Sequence, residues 1–176
     1  MHPIIIGIAG AHSGVGKTMA ACEILKRFKG WGAIKYSKTS FFSSITDDRE
    51  VLLTPGKDTR RMMDAGAVQV LWVQSPPDEL PDILRLAVEM LSGLPGIVIE
   101  GNSAVNAIKP DIVVFVSGDP DLSKESAGPL LDMADIVLSG TESPRQLPKA
   151  RLFRIDDAEG YFRHIKRIIE EKSINR

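Results

Sequence analysis

Residues 11 to 18 read AHSGVGKT and combine two glycines, a lysine and a threonine at a spacing that suits phosphate chemistry. The run matches the P-loop pattern, with alanine at the first position where glycine is usual. Gly14 and Gly16 would let the backbone turn its N–H groups towards phosphate oxygens. Lys17 would contact the β- and γ-phosphates, and the Thr18 hydroxyl is suited to Mg²⁺. We therefore expect a nucleoside triphosphate, GTP or ATP, to be bound with Mg²⁺ by Ser13, Gly14, Val15, Gly16, Lys17 and Thr18.

A P-loop site also needs an acid at the end of a neighbouring strand, to hold the metal or to orient a water molecule. Residues 96 to 102, GIVIEGN, place Glu100 directly after three β-branched residues. A glutamate inside an apolar core would be costly, whereas the carboxyl end of a parallel strand is where ligands bind. Glu100 is thus predicted to be a catalytic and metal-binding residue, and the alternative is a solvated strand end.

The run PGKD, residues 55 to 58, leaves two interpretations open. Asp58 is a good N-terminal residue for the short helix that is predicted to follow it. If the preceding loop folds over the phosphates, Asp58 is instead a catalytic acid near the metal. In that case Lys57 or Arg60 would neutralise phosphate charge.

Three acids in late loops are further candidates. Asp119 and Asp121 follow a predicted strand and could face a substrate, but Asp-Pro is also typical of turns. Glu142 could accept hydrogen bonds from guanine, although a loop glutamate is more often solvated. The sequence has no Asn-Lys-x-Asp motif for guanine, so the base stays open.

The elements that must position these residues alternate along the chain. Apolar runs predict strands at 4–9, 31–36, 68–73, 97–99, 111–116, 136–138 and 151–155. Helical periodicity follows at 18–29, 58–65, 80–91 and 161–169, and residues 37–57 have no period and are predicted to form a long functional or mobile loop. This order predicts an α/β fold, a doubly wound and mostly parallel sheet with helices on both faces. We expect one domain over residues 1–176.

The composition narrows the class of protein. With 22 basic and 23 acidic residues among 176, the net charge of −1 gives no sign of a nucleic-acid partner. The apolar N-terminal run lacks a basic start and is shorter than a membrane span, so no membrane partner is expected. A single cysteine, Cys22, excludes an internal disulfide and fits a cytoplasmic location.

Residues 54 to 67, TPGKDTRRMMDAGA, resemble the hallmark of the molybdopterin-guanine dinucleotide biosynthesis protein B family. The matching pieces are a Pro-Gly-Lys-Asp-Thr run, an arginine shortly after it, and Ala-Gly-Ala. Two more matches lie in the right order: Lys35-Tyr36, where the family has Lys-His, and Ile99-Glu100-Gly101, where it has Val-Glu-Gly. The chain departs from the pattern at Tyr36 and at Thr54, which replaces an aspartate. The resemblance covers roughly the first 120 residues.

The resemblance implies a P-loop NTPase of the signal-recognition-like, MinD-like class, with GTP and Mg²⁺ as ligands. It implies a slow NTPase that works as a homodimeric adaptor in molybdenum-cofactor synthesis. The partner would be a molybdopterin guanylyltransferase or a molybdoenzyme. It favours the site interpretation of Asp58 as a metal acid, and Lys35, Lys57 and Arg60 are predicted to bind the nucleotide.

Two other functions suit the same cradle. A small-molecule kinase or ATP-dependent ligase would need the same phosphate contacts, and Lys35, Lys57 and Asp119 could then line an acceptor pocket. A nucleotide switch that barely hydrolyses would change its dimer contacts through residues 37–57.

Overall fold

The computed structural model describes residues 2–118, 127–140 and 149–174. Its centre is an eight-stranded sheet in the order β3-β4-β2-β5-β1-β6-β7-β8. Neighbouring strands run parallel except for the antiparallel pair β3–β4. The strands are β1 (Ile4–Gly10), β2 (Gly32–Lys38), β3 (Ser44–Thr46), β4 (Val70–Ser75), β5 (Gly96–Glu100), β6 (Ile112–Val116), β7 (Ile136–Ser139) and β8 (Arg151–Arg154). The predicted α/β fold with a mostly parallel sheet is confirmed.

Helices cover both faces of this sheet. They are α1 (Lys17–Arg27), α2 (Arg49–Leu52), α3 (Asp58–Asp64), α4 (Leu80–Met90), α5 (Asn102–Ile108), α6 (Gly128–Asp132) and α7 (Ala158–Ile174). One core joins α1, α3 and α7 to one face of the sheet, and α4, α5 and α6 pack on the other face. Side chains along β1 alternate between the two faces of the sheet. Ile6 and Ile8 pack in the core shared with α1, α3 and α7, whereas Ile5 and Ala9 pack on the face covered by α4, α5 and α6.

The central strands read as unbroken apolar runs because both of their faces are covered. Every residue of β5 and of β6 is buried. A strand that is buried on one face alone would alternate between apolar and polar residues. This burial explains why the sequence located these strands to within one or two residues.

Residues 37–57 differ from the predicted loop. β2 runs on to Lys38, β3 pairs with β4, and α2 begins at a cap in which Asp48 accepts a hydrogen bond from the Glu50 N–H at 2.8 Å. The prediction of one long loop is therefore wrong in part. The new elements are three and four residues long, too short to carry a period of their own.

The sequence also missed α5, which follows β5 directly. It is seven residues long and begins with Asn102 and Ser103, neither of which favours a helix interior. Its stability comes from packing, because Ala104 and Val105 are fully buried against the sheet.

None of the helices in the described ranges has both the length and the apolar character needed to cross a bilayer.

Candidate functional site

The glycine-rich loop connects β1 to the N-terminus of α1. Gly14 has φ 77° and Gly16 has φ 107°, in the left-handed region that side chains with a Cβ rarely adopt. Gly16 is the N-cap of α1, and its carbonyl accepts a hydrogen bond from the Ala20 N–H at 3.0 Å. The first N–H groups of this 11-residue helix point into the loop, where the helix dipole favours an anion.

Ala11 stands at the first position of the motif and fits there. Its φ is not positive, so a Cβ is tolerated. Its N–H donates to the Val116 carbonyl at 3.0 Å, which continues the β1–β6 ladder by one residue. The substitution of glycine by alanine therefore leaves the loop geometry intact.

Lys17 bends back over the loop. Its ammonium donates to the His12 carbonyl oxygen at 2.9 Å. The His12 ring lies against Gly118, where a Cβ would clash with it, and its Nδ1 is 2.8 Å from the Ser13 carbonyl oxygen. His12 thus shapes the loop, and Lys17 lies along the mouth of the cradle.

Behind the loop, one hydroxyl, two carboxylates and one ammonium form a compact cluster. The Thr18 hydroxyl donates to Glu100 Oε2 at 2.9 Å, and both residues are buried. Lys35 Nζ lies 2.7 Å from Glu100 Oε1 and 2.7 Å from Asp58 Oδ2. We call Thr18, Lys35, Asp58 and Glu100 the acid cluster.

The sheet register explains this meeting. Lys35 and Glu100 are direct partners on the parallel strands β2 and β5, and Glu100 is also the partner of Ile8 on β1. Their side chains therefore emerge on one face near the carboxyl ends of the strands. Thr18 comes to the same place because α1 follows β1, and Asp58 because α3 packs beside α1.

The Lys35 ammonium and the two carboxylates of the acid cluster stabilise one another in their charged forms. Burial alone would lower the pKa of Lys35, but the neighbouring Glu100 and Asp58 carboxylates raise this pKa above its ordinary value. Burial likewise tends to raise the pKa of Asp58, and the hydrogen bond with Lys35 and the positive charge of its ammonium hold that pKa below its usual value. Lys35 is therefore an ammonium and Asp58 a carboxylate at neutral pH.

Of the two interpretations of Asp58, the one that places it at the start of α3 is confirmed, although not at the N-cap position. Lys57 is the N-cap of α3 and makes no capping hydrogen bond with its side chain, while Asp58 is the first helical residue. The Asp58 carboxylate points to Lys35 and, at 3.6 Å, to the Arg61 guanidinium. Its role as a metal acid stays a prediction.

Lys57 and Arg60 make their contacts outside the loop. Lys57 Nζ lies 4.4 Å from the centre of the Trp72 ring, a cation–π contact. The Arg60 guanidinium is 3.4 Å from the Leu53 carbonyl oxygen and 3.6 Å from the Asp64 carboxylate. Phosphate contacts by these two side chains would require them to turn, and they stay predictions.

Asn102 is a positioning residue that the sequence did not single out. Its Oδ1 accepts from the Gly10 N–H at 3.0 Å, and its Nδ2 donates to the Gly10 carbonyl at 2.8 Å. These two bonds hold the last residue of β1, from which the loop departs. A polar amide two residues after Glu100, at a strand end, was the signal that could have found it.

Asp119, Asp121 and Glu142, the three loop acids considered from the sequence, lie outside the described residues.

The acid cluster suits magnesium shared with a phosphate. A hydroxyl and two carboxylates are hard oxygen donors, and Mg²⁺ sites typically use one or two carboxylates together with substrate phosphates. Within residues 2–118, 127–140 and 149–174, no group of three or more His, Cys, Asp or Glu side chains forms a cage for a metal. A cation here would therefore complete its shell with oxygens from water or from a bound ligand.

Replacing Asn102 with alanine is expected to weaken triphosphate binding severalfold and to destabilise the fold by about 1–2 kcal/mol, because two hydrogen bonds to Gly10 are lost. Urea unfolding and titration with a fluorescent triphosphate measure the two effects. Asn106→Ala, an exposed asparagine of the same helix, is the control and should change neither quantity. Equal behaviour of the two variants would contradict a positioning role for Asn102.

Comparison with known proteins identifies the fold. No protein-family model and no curated protein matches the chain. HypB from Helicobacter pylori, solved in complex with nickel, superposes with a TM-score of 0.59 at 14% identity, over 98% of this chain and 88% of HypB. LpxK from Aquifex aeolicus, solved in complex with ATP, gives a TM-score of 0.54 at 15% identity. That match covers 88% of this chain but 54% of LpxK, so this chain spans about half of LpxK.

These structures, together with the loop and sheet described above, define the class: the chain has the fold of a P-loop NTPase. At identities of 14% and 15%, the likeness to HypB and LpxK is one of fold.

Proposed function

We propose that the protein binds a nucleoside triphosphate together with Mg²⁺ and hydrolyses it slowly. The observation that carries the proposal is the hydrogen bond from Thr18 to Glu100, both buried, at the base of the glycine-rich loop. In a P-loop site this pair supplies the hydroxyl for the metal and the acid that orients it.

Each part of the cradle has a task in this proposal. The backbone N–H groups of residues 13–18 donate to phosphate oxygens, and Lys17 exchanges the His12 carbonyl for the β- and γ-phosphates. Bound Mg²⁺ would neutralise charge on the phosphates and polarise the transferred phosphoryl group. Glu100 holds the Thr18 hydroxyl in place and offers a carboxylate to orient the attacking water.

The finer role rests on the resemblance. We propose that the protein acts as a homodimeric adaptor in molybdenum-cofactor synthesis, with a molybdopterin guanylyltransferase or a molybdoenzyme as its partner. In support, Asp58 of the Pro-Gly-Lys-Asp run, Lys35 of the Lys-Tyr pair and Glu100 of the Ile-Glu-Gly run all meet in the acid cluster. The segments that carry the resemblance thus supply one site.

The departure at Tyr36 leaves this cluster untouched. Tyr36 packs into the core on the opposite face of the sheet, and its hydroxyl donates to the Ser75 carbonyl at 3.1 Å. Lys35 and Tyr36 are neighbours in sequence, so their side chains point to opposite faces of β2.

Equilibrium titration with fluorescent ATP and GTP analogues, in Mg²⁺ and in EDTA, tests the proposal. We expect binding that Mg²⁺ strengthens, with one base preferred, and slow release of phosphate. Failure of both triphosphates to bind the folded protein would contradict it. A pull-down of purified guanylyltransferase with and without triphosphate then tests the partner, since lack of a complex would remove the molybdenum role and leave the NTPase.

Triphosphate is expected to order the segment that leads into α3. Phe41 is 91% exposed, and β3 and α2 are three and four residues long, so hydrogen exchange should be fast in the free protein in the stretches that connect these elements. Contacts of the γ-phosphate with the Lys57–Asp58 region would slow it. Exchange over residues 37–60 is compared in the free, diphosphate and non-hydrolysable triphosphate states.

Protection should rise most with triphosphate and less with diphosphate. Equal protection in all three states would show that this segment does not respond to nucleotide. The end of α7 serves as an internal control and should exchange alike in each state, because Lys172 donates to the Asp111 carbonyl just before β6, at the opposite end of the strands from the glycine-rich loop.

A further inference from the structure

A single ammonium bridges the two carboxylates of the acid cluster. Lys35 Nζ is 2.7 Å from Glu100 on β5 and 2.7 Å from Asp58 at the start of α3. The Lys35 side chain is 17% exposed and that of Glu100 is 2% exposed, so both ends of this contact are shielded from water. The contact therefore joins two separate elements at the base of the phosphate cradle.

Glu100 depends on this ammonium. One of its oxygens, Oε2, accepts from the neutral Thr18 hydroxyl, and the other, Oε1, faces Lys35. Among the ion pairs of the described residues, Lys35 is the cation that contacts Glu100. A carboxylate at this depth without a cation would be strongly disfavoured. Asp58 has Arg61 as a second cationic neighbour, at 3.6 Å, on the exposed side of α3.

The same oxygens are the ones that a magnesium ion would use. Mg²⁺ draws oxygen ligands to about 2.0–2.1 Å and holds them in a strict octahedron. An oxygen that accepts from an ammonium has a lone pair fewer to offer the metal, and the two cations repel each other at this distance. Metal and Lys35 thus compete for the oxygens between Glu100 and Asp58.

We propose that Lys35 is an internal counter-ion that competes with the divalent cation, so that metal entry requires the ammonium to leave at least one of the two carboxylates. The proposal rests on the proposed function only in taking this cluster as the magnesium site. Lys35 keeps the two acids together without a metal, and it makes the affinity for free metal low. Nucleotide phosphates add oxygen ligands and negative charge, and they therefore favour binding of the metal over the Lys35 ammonium. Lys35 in this way couples metal binding to nucleotide binding.

The competition is measured on nucleotide-free protein with Mn²⁺ as the probe, by the electron paramagnetic resonance signal of the free ion. Lys35→Met removes the ammonium and keeps the length of the side chain. We expect it to bind Mn²⁺ about tenfold more tightly than the wild type, because the ion no longer displaces a charge. The melting temperature of the metal-free variant should fall, and Mn²⁺ or Mg²⁺ should restore it more than in the wild type.

Lys26→Met is the matched control. Lys26 also lies 2.6 Å from a carboxylate, that of Glu23, but on the exposed side of α1. Its removal should leave Mn²⁺ affinity and its effect on melting unchanged. Lys35→Gln, which retains a hydrogen-bond donor without the charge, serves if Lys35→Met is poorly folded, and it should also bind Mn²⁺ more tightly.

Unchanged or weaker Mn²⁺ binding in a folded Lys35 variant would overturn the proposal, as would an equal response of the Lys26 control. A Lys35 variant that folds only after Mn²⁺ is added would support it. Titration of the wild type with fluorescent triphosphate in EDTA and in Mg²⁺ distinguishes failure of the proposed function from failure of the Lys35 proposal. Lack of triphosphate binding there would contradict the proposed function, whereas the Mn²⁺ comparison judges Lys35 alone.

Discussion

Lys17→Ala is expected to lower the affinity for nucleoside triphosphate by about 100-fold or more, since a cation on the β- and γ-oxygens cannot be replaced by backbone amides. The Lys17 ammonium donates to the His12 carbonyl, a contact that phosphate oxygens would replace when nucleotide binds. Titration with a fluorescent triphosphate measures the effect, and thermal melting checks the fold.

Lys26→Ala, nine residues further along α1, is the control for this variant. Its side chain is 55% exposed and pairs with Glu23, so nucleotide affinity should stay at the wild-type value. Unchanged triphosphate affinity in a folded Lys17→Ala protein would contradict the assignment of residues 11–18 as a phosphate cradle.

Glu100→Gln is expected to bind nucleotide nearly as well as the wild type but to lose Mg²⁺-dependent hydrolysis by on the order of 100-fold. The amide keeps the shape of the side chain and removes the charge that holds Lys35 and orients water. Because Glu100 is buried and Lys35 keeps Asp58, we expect a loss of folding stability of about 1–3 kcal/mol. Phosphate release and urea unfolding measure the two effects separately.

Asp64→Asn is the control, because Asp64 is an exposed acid of α3 that pairs with Arg60 outside the acid cluster. It should hydrolyse at the wild-type rate. Wild-type turnover in Glu100→Gln would mean that Glu100 has a structural role alone, holding Lys35 and Thr18.

The class of fold and the glycine-rich loop were readable from the sequence. β5 and β6 are buried at every position, and such strands appear as unbroken apolar runs. The loop is local as well, since the left-handed backbone of Gly14 and Gly16 is a property of residues close in the chain. Glu100 could be placed at a strand end because it ends the unbroken apolar run of β5.

The short elements escaped sequence reasoning because they have little preference of their own. β3 exists through its pairing with β4, and α5 through the burial of Ala104 and Val105. Segments of three to seven residues carry too few positions for a period, and packing that comes from elsewhere in the chain decides their structure.

Only the tertiary structure decided the acid cluster. Asp58 suits a helix start as well as a site, and both interpretations agree with its neighbours in sequence. Asp58 comes to Glu100 because the strand order puts β2 beside β5 and the register sets Lys35 opposite Glu100, where Lys35 lies within 2.7 Å of both carboxylates. The role of Asp58 as a metal acid stays a prediction. The contacts of Asn102 with Gly10 and of Lys57 with Trp72 likewise depend on the tertiary structure. The sequence determined which backbone conformations are possible, whereas contacts between distant segments depend on strand order and register, which local residue preferences do not specify.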